Sequence, residues 1–274
     1  MESKRIGRLV SEAAFATGSA VLLTMAGVAG CSDDDTGGDT HDAGSSADGH
    51  TVHWTYEGED GPEHWGELSS DYALCKTGQR QSPVDIPSSV VPGPITGIMF
   101  AYSVAPGAIF DNGHTVQINV SSASNKITEG GKEFSLAQFH FHKHSEHTVA
   151  GMAQPLEMHL VHTASDGAYT VLGVFLKSGA ANAALDEVFT KMASATEAPA
   201  PLDHDVDPAT LLPTVKDGWV YDGSLTTPPC TEGVKWRIYG VPLEASPEQI
   251  AKFTHDPSYR PSQPLGTRTI AGGN

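Results

Sequence analysis

Cysteine is scarce in this chain of 274 residues: there are three, Cys31, Cys75 and Cys230, and no two stand in a CxxC spacing. That excludes a thiolate zinc finger, a thioredoxin-type redox pair and a miniature scaffold built on disulfides. Basic residues are scarce too. Sixteen Lys and Arg face 33 Asp and Glu, for a formal net charge of -17 and an isoelectric point near 5.0, and such a surface has no general attraction to nucleic acid or anionic lipid. Neither GxGxxG nor GxxxxGKS/T occurs, so the two commonest phosphate-cradling loops are missing. Hydrophobic residues make up 39% of the chain and charged ones 18%, enough apolar material for one sizeable core and unlike a disordered protein. Neutral or gaseous substrates, small anions and metals remain open.

Long uncharged runs are also rare, and the one that stands out is N-terminal. Lys4, Arg5 and Arg8 precede a stretch from Ala13 to Gly30 with no charged residue and much Ala, Val, Leu and Gly, the layout of a secretory signal peptide. Gly, Ser and Thr dilute it, which weighs against a transmembrane anchor. The run ends Val28-Ala29-Gly30-Cys31, similar to the cleavage box of bacterial lipoproteins, where the cysteine becomes the acylated N-terminus. Residues 1–30 therefore read as a lipoprotein-type signal peptide and Cys31 as the lipidation site, the chain's one contact with a membrane. Residues 31–52 hold six aspartates and no Lys or Arg; they cannot bury enough apolar surface to offset their ordering entropy and read as a disordered acidic tether. The expected location is outside the cytoplasm, as a periplasmic or cell-surface lipoprotein of a bacterium. With Cys31 lipidated, Cys75 and Cys230 form an even pair in an exported protein. A disulfide between them is the economical expectation, with two separate buried thiols as the alternative.

Residues 53–270 read as one domain. Short alternating runs separated by Gly and Pro turns predict a mainly β fold, a central twisted and mostly antiparallel sheet with short peripheral helices. Thr115–Val120, Leu136–His142, Leu156–His162, Thr170–Leu176 and Val234–Tyr239 have the alternation or the β-branched and aromatic content of strands. A helix is predicted over Ala181–Ala193, where Leu185, Val188, Phe189 and Met192 share a face. Ser246-Pro247-Glu248-Gln249 reads as a capping box with Pro at the first helical position, and Asp207-Pro208 opens another short helix.

Six of the 13 histidines lie between His140 and His162. In Gln138-Phe139-His140-Phe141-His142, strand alternation sends Gln138, His140 and His142 to one face and the two phenylalanines to the other; in Glu157-Met158-His159-Leu160-Val161 it groups Glu157, His159 and Val161. Two such strands paired antiparallel aim three imidazoles at one point. Three neutral nitrogens with one open position are the pattern of a catalytic zinc. Gln138 and Glu157 can accept the remaining ring N–H groups and fix the tautomers. A hydrogen-bonded polar sheet face is the alternative.

Across nearly the whole domain, and in order, the sequence resembles the α-class carbonic anhydrases. The resemblance runs through His53-Trp54-x-Tyr56, Gly61-Pro62-Glu63-His64-Trp65, Gln81-Ser82-Pro83-Val84-Asp85-Ile86, Asn112-Gly113-His114 and the two histidine strands. It continues in Ser145-Glu146-His147-Thr148 and in Gly223-Ser224-Leu225-Thr226-Thr227-Pro228-Pro229-Cys230-x-Glu232 through Trp236, and ends in Arg260-Pro261-x-Gln263-Pro264-Leu265. The cysteine pair fits as well, since bacterial extracellular members bridge these two regions.

The resemblance implies a zinc lyase that hydrates CO2 reversibly to bicarbonate and a proton, by attack of zinc-bound hydroxide. Its ligands map onto His140, His142 and His159. Thr226 is then the residue that accepts the hydroxide's hydrogen and donates its own to Glu146, and His114 is the proton shuttle. Val161, Val171, Leu225, Thr227 and Trp236 match the substrate pocket, and Tyr56, Asn112 and Gln117 the positions that order water between metal and shuttle. Small anions and sulfonamides are expected to inhibit, and a homodimer is left open. Lys143 and His144 follow the second ligand directly, where animal members continue Trp-Gly; His144 has no role in the family, and His147 and His162 read as structural. A zinc esterase and a noncatalytic surface module remain as alternatives. Retention of the three histidines with Glu146 and Thr226 favours catalysis over the second.

Overall fold

The computed structural model describes residues 52–121 and 124–273; the expected signal peptide, Cys31 and all of the tether but Val52 lie outside them. In chain order the first strands are β1 (Asp85–Ile86), β2 (Gly93–Pro94), β3 (Ile98–Ala101), β4 (Gly107–Asp111), β5 (Val116–Val120), β6 (Lys126–Glu129) and β7 (Lys132–His142). They are followed by β8 (Thr148–Val149), β9 (Leu156–Thr163), β10 (Tyr169–Ser178), β11 (Ala200–Pro201), β12 (Asp217–Ser224), β13 (Glu232–Ala245) and β14 (Ala271–Gly272). Twelve of these form one sheet whose main path is β11-β4-β5-β7-β9-β10-β13-β12-β14. Its pairings are antiparallel except the parallel one between β10 and β13. The mainly β architecture expected from the alternation is the observed one, and the five expected strands all form.

Alternation decides which face each residue serves. Along β10, Leu172, Val174 and Leu176 enter one hydrophobic cluster while Val171 and Phe175 enter another on the opposite face. A strand buried on both sides is where a parallel pairing is tolerated. On β7, Leu136, Phe139 and Phe141 share the first cluster although Leu136 and Phe139 are an odd number apart. A register shift between Leu136 and Gln138 opposite β9 absorbs Ala137 as an extra residue and resets the alternation. From there on Gln138, His140 and His142 face away from that cluster.

The helices are short. The expected helix 181–193 is a 3-10 turn, Ala183–Leu185, capped by the Asn182 side chain, running into an α-helix Asp186–Met192. That helix buries Val188, Phe189 and Met192 in the first cluster, with Phe189 at 5.8 Å from Phe141. The Ser246 capping box forms, with Gln249 returning the bond, and Asp207 caps the 3-10 turn Pro208–Leu211. Strand β12 was not expected, because glycines at 218 and 223 and aspartates at 217 and 222 mask its alternating Trp219 and Tyr221. Strand β14 lies just past the expected boundary at residue 270; its Ala-Gly pairs with β12 through backbone alone, which leaves no side-chain pattern to read.

Cys75 and Cys230 are joined in a disulfide across 155 residues of sequence. It ties the short helix Leu74–Thr77 to the turn between β12 and β13, where the Cys230 carbonyl accepts from Gln81 and the Cys75 carbonyl from Arg260. Closing a loop of that length stabilises by about 5 kcal/mol in the chain-entropy model. The double variant Cys75→Ser/Cys230→Ser should therefore melt roughly 10–20 °C below the oxidised protein in a thermal unfolding scan.

Candidate metal centre

The antiparallel register of β7 and β9 sets His140 opposite His159 and His142 opposite Glu157. Glu157, His159 and His142 are fully buried, or nearly so, and His140 is half-buried. Each histidine has one nitrogen tied to an acceptor. His140 Nδ1 donates to Gln138 Oε1 at 2.8 Å, His142 Nδ1 to the Ser258 carbonyl at 2.6 Å, and His159 Nε2 to Glu157 Oε1 at 2.9 Å. Those acceptors require the proton on the nitrogen that meets them, so the opposite nitrogens keep their lone pairs. These three lone-pair atoms lie within 4.8 Å of one another. Burial, followed by the neighbouring His142 and His159, pushes His140 well below the ordinary imidazole range; burial also lowers His142 against the pull of Glu146. Neutral rings are the form a metal takes.

The donor set fits zinc. His140 Nε2 and His142 Nε2 stand 3.0 Å apart, an approach that two lone pairs tolerate when a cation lies between them. Glu146 adds an unpaired acceptor. Its Oε1 is fixed by the Arg260 backbone N–H at 2.9 Å, whereas Oε2 is buried without a hydrogen-bond partner, 3.5 Å from His142 Nε2 and 3.9 Å from His159 Nδ1. The Thr226 to Glu146 hydrogen bond that the resemblance implies is thus not made here. The Arg260 N–H settles the carboxylate with Oε2 toward the imidazoles, and Thr226 lies buried in the turn after β12.

A second group, His147, Glu157 and His159, also lies close together, but His147 has no nitrogen to spare. Its Nδ1 donates to Glu157 Oε1 at 2.7 Å and its Nε2 accepts from Tyr221 at 2.6 Å, and Tyr221 is bonded in turn to Ser82. Burial works to raise the Glu157 carboxyl, yet the imidazoles of His147 and His159 outweigh it and hold it well below the usual carboxylate range, so it stays an acceptor for both. Gly173, across from His159 on β10, leaves that carboxylate its room: a Cβ there would stand 3.0 Å from Glu157 Oε1 and 2.6 Å from Ile238 Cδ1. His162 is bonded to Tyr102 at 2.7 Å away from the centre, and His144 is exposed beyond the end of β7.

A cavity of about 130 Å³ opens on two of the three histidines, His140 and His142. Gln138 and Thr227 line it with them, as do Tyr56, Asn112, His114 and Gln117. The Tyr56 hydroxyl is buried with no partner, and Asn112 reaches Gln117 at 3.3 Å. His114 stands on the turn after β4, half-buried and stacked on Trp54 with ring centroids 3.6 Å apart. Val171 and Trp236 belong to one hydrophobic cluster on this side of the sheet, with Val161 and Leu225 packed against it, and the Trp236 ring is 4.8 Å from that of His159. Four of the five expected pocket residues thus share one apolar cluster, while Thr227 is the one that lines the cavity. Ser258, Trp54 and Arg260 were given no role by the sequence, although Trp54 and Arg260 lie in its motifs. Ser258 acts through a carbonyl, which every residue has.

A family model described as eukaryotic-type carbonic anhydrase matches residues 60–272. A carbonic anhydrase of Pectobacterium atrosepticum is 41% identical over 229 residues, covering 80% of this chain and 91% of its own, and one of Nostoc sp. is 40% identical over 234 residues, covering 82% and 88%. Among solved structures, the α-carbonic anhydrase of Thermovibrio ammonificans in complex with the inhibitor sulfanilamide superposes with a TM-score of 0.77 at 42% identity, over 81% of this chain and 100% of that one. The family model spans most of the described residues and relatives about 40% identical cover four-fifths of the chain, so the chain belongs to the α-class, or eukaryotic-type, carbonic anhydrase family.

Proposed function

We propose that this carbonic anhydrase interconverts CO2 and bicarbonate outside the cytoplasm at a zinc ion held by His140, His142 and His159, and that His114 carries the released proton out of the cavity. The family hydrates CO2 and is zinc-dependent in general. The observation that carries the reading is the convergence of three lone-pair nitrogens, each on a ring whose other nitrogen is already bonded. When bound, zinc supplies Lewis acidity that lowers the pKa of water to about 7.

The rest falls to the chain's own groups. Gln138, the Ser258 carbonyl and Glu157 hold the imidazoles in the metal-binding tautomer. Glu146 Oε2 is an acceptor without a partner, so a Thr226 hydroxyl that turns to donate to it directs its own lone pair toward the reacting oxygen. Val161, Val171, Leu225 and Trp236 offer CO2 an apolar wall from which water is excluded. Tyr56, Asn112, Gln117 and Thr227 line the cavity shared by His140, His142 and His114 with groups that donate or accept without holding charge. At its end is an imidazole, which titrates near enough to neutrality to take a proton and release it.

Burial lowers His114 from the ordinary imidazole value, with His53 and His255 adding to the effect and Asp111 opposing it. A lowered value keeps the neutral, proton-accepting form present further into acid, so the acid limb of kcat at low buffer should fall below pH 6.5. His114→Ala should cut kcat in dilute buffer by roughly ten- to hundredfold, with partial recovery on adding imidazole. Turnover independent of buffer in both proteins would exclude the shuttle. His142→Ala leaves two nitrogens and should lose stopped-flow CO2 hydration together with most of the zinc measured in the same sample; full activity would refute the ligand set. For the export reading, the full chain produced in a bacterium should incorporate labelled palmitate, and Cys31→Ala should not.

A further inference from the structure

The turn that presents His114 is tied to more titratable groups than one shuttle requires. Asp111, the last residue of β4, uses its two carboxylate oxygens for different ends. Oδ1 accepts from the Gly113 N–H at 2.8 Å, and Oδ2 accepts from His255 Nε2 at 2.9 Å. The first bond clamps the turn that presents His114. Asn112 Oδ1 completes the clamp by accepting from the N–H groups of His114 and Thr115, and Gly113 takes the positive φ of 86° that the turn needs. The second bond reaches 144 residues along the chain to the segment that, three residues further on, offers the Ser258 carbonyl to His142.

We propose that Asp111 and His255 form a second proton-holding station on the exit path, set beside His114 by the turn that Asp111 itself clamps. The inference rests on the shuttle reading of His114. Both side chains keep a path to solvent, with 21% of His255 and 28% of Asp111 exposed. His255 Nε2–H is committed to Asp111, so Nδ1 is the nitrogen left to accept. Around the pair, the Phe253 ring lies 5.8 Å from that of His255, and the neighbouring Asp256 is turned to Lys143 at 3.0 Å, which leaves Asp111 as the carboxylate that answers His255. The other titratable rings at this rim are His53, exposed and 6.5 Å from His114, and His114 itself. Charge on His255 and on Asp111 is felt at His114 in opposite senses, the imidazolium lowering its proton affinity and the carboxylate raising it.

In the transfer, an N–H bond of protonated His114 breaks and one forms at Nδ1 of neutral His255. The new imidazolium is matched by the Asp111 carboxylate, and buffer then removes the proton from Nδ1 and restores the pair. Asp111 touches no reacting atom and acts as a positioning residue for both rings.

Two conservative variants test this in the zinc-loaded protein. His255→Gln keeps an amide toward Asp111 but cannot hold a proton; Asp111→Asn keeps an oxygen for the Gly113 N–H but loses the charge. His255→Gln should lower kcat in dilute buffer by about threefold, less than loss of the primary shuttle, while kcat/KM for CO2 is retained, because proton export enters kcat and not kcat/KM. Added imidazole should restore kcat. Followed by proton NMR, the titration midpoint of His114 should rise in His255→Gln, which removes a neighbouring ring able to take up positive charge, and fall in Asp111→Asn, which loses an anion. A pair that only braces the fold would leave the buffer dependence and both midpoints where they are in the parent protein, and that result overturns the proposal. His114→Ala measured alongside separates the two failures: if it slows turnover in dilute buffer and His255→Gln does not, the station alone is wrong, whereas if neither does, the shuttle reading has gone with it.

Discussion

The register between β7 and β9 is the constraint from which the metal group follows. With His140 opposite His159, the alternation of side chains on two neighbouring strands brings three imidazoles to one point without any loop having to place them. A slip of one residue would exchange the histidines for Phe139, Phe141, Met158 and Leu160, which fill the core on the far face. Burial of those four apolar side chains therefore locks the positions of the rings on the other side. Stability and site geometry are specified by the same pairing.

Orientation is a separate matter, and it comes from farther away. Gln138 and Glu157 each act on a ring two residues along their own strand, whereas His142 takes its acceptor from the backbone at Ser258. Glu157 in turn holds His147, which is bonded through Tyr221 to Ser82, so a buried polar chain runs from the metal group into the body of the domain. With every lone pair and proton in that chain assigned, the rings have little freedom to turn. Glu146 Oε2 is the exception, and its lack of a partner marks the place where a reacting group has something to gain.

How much of this could be read from the sequence depended on the kind of interaction. Period-two alternation exposed the ligand strands and assigned Gln138 and Glu157, because those partners sit at a fixed offset on the same face. The bulge at Ala137 had no such signature, since it shows only in the pairing with β9. Strand β12 was hidden by its glycines and aspartates, which read as turns, although the glycines serve close packing against β13. Carbonyl acceptors such as Ser258 carry no residue identity and were beyond reach. His114 and Trp54 belong to motifs that pointed to the family, but the stacking of the two rings depends on the turn at Asn112-Gly113 folding back over the N-terminal segment, a contact between parts of the chain about sixty residues apart.

The sheet order separates the domain into what can form early and what must wait. Strands β7, β9 and β10 are neighbours in the sheet and close in sequence, so a growing chain contains all three imidazoles before β13 has been made. Trp236 and Thr226 arrive only with β13 and the turn before it, and β13 must cross to lie parallel beside β10, a closure with a larger entropic cost. An incomplete nascent polypeptide would therefore present a cluster of lone pairs before it possesses the Trp236 ring or the Thr226 hydroxyl.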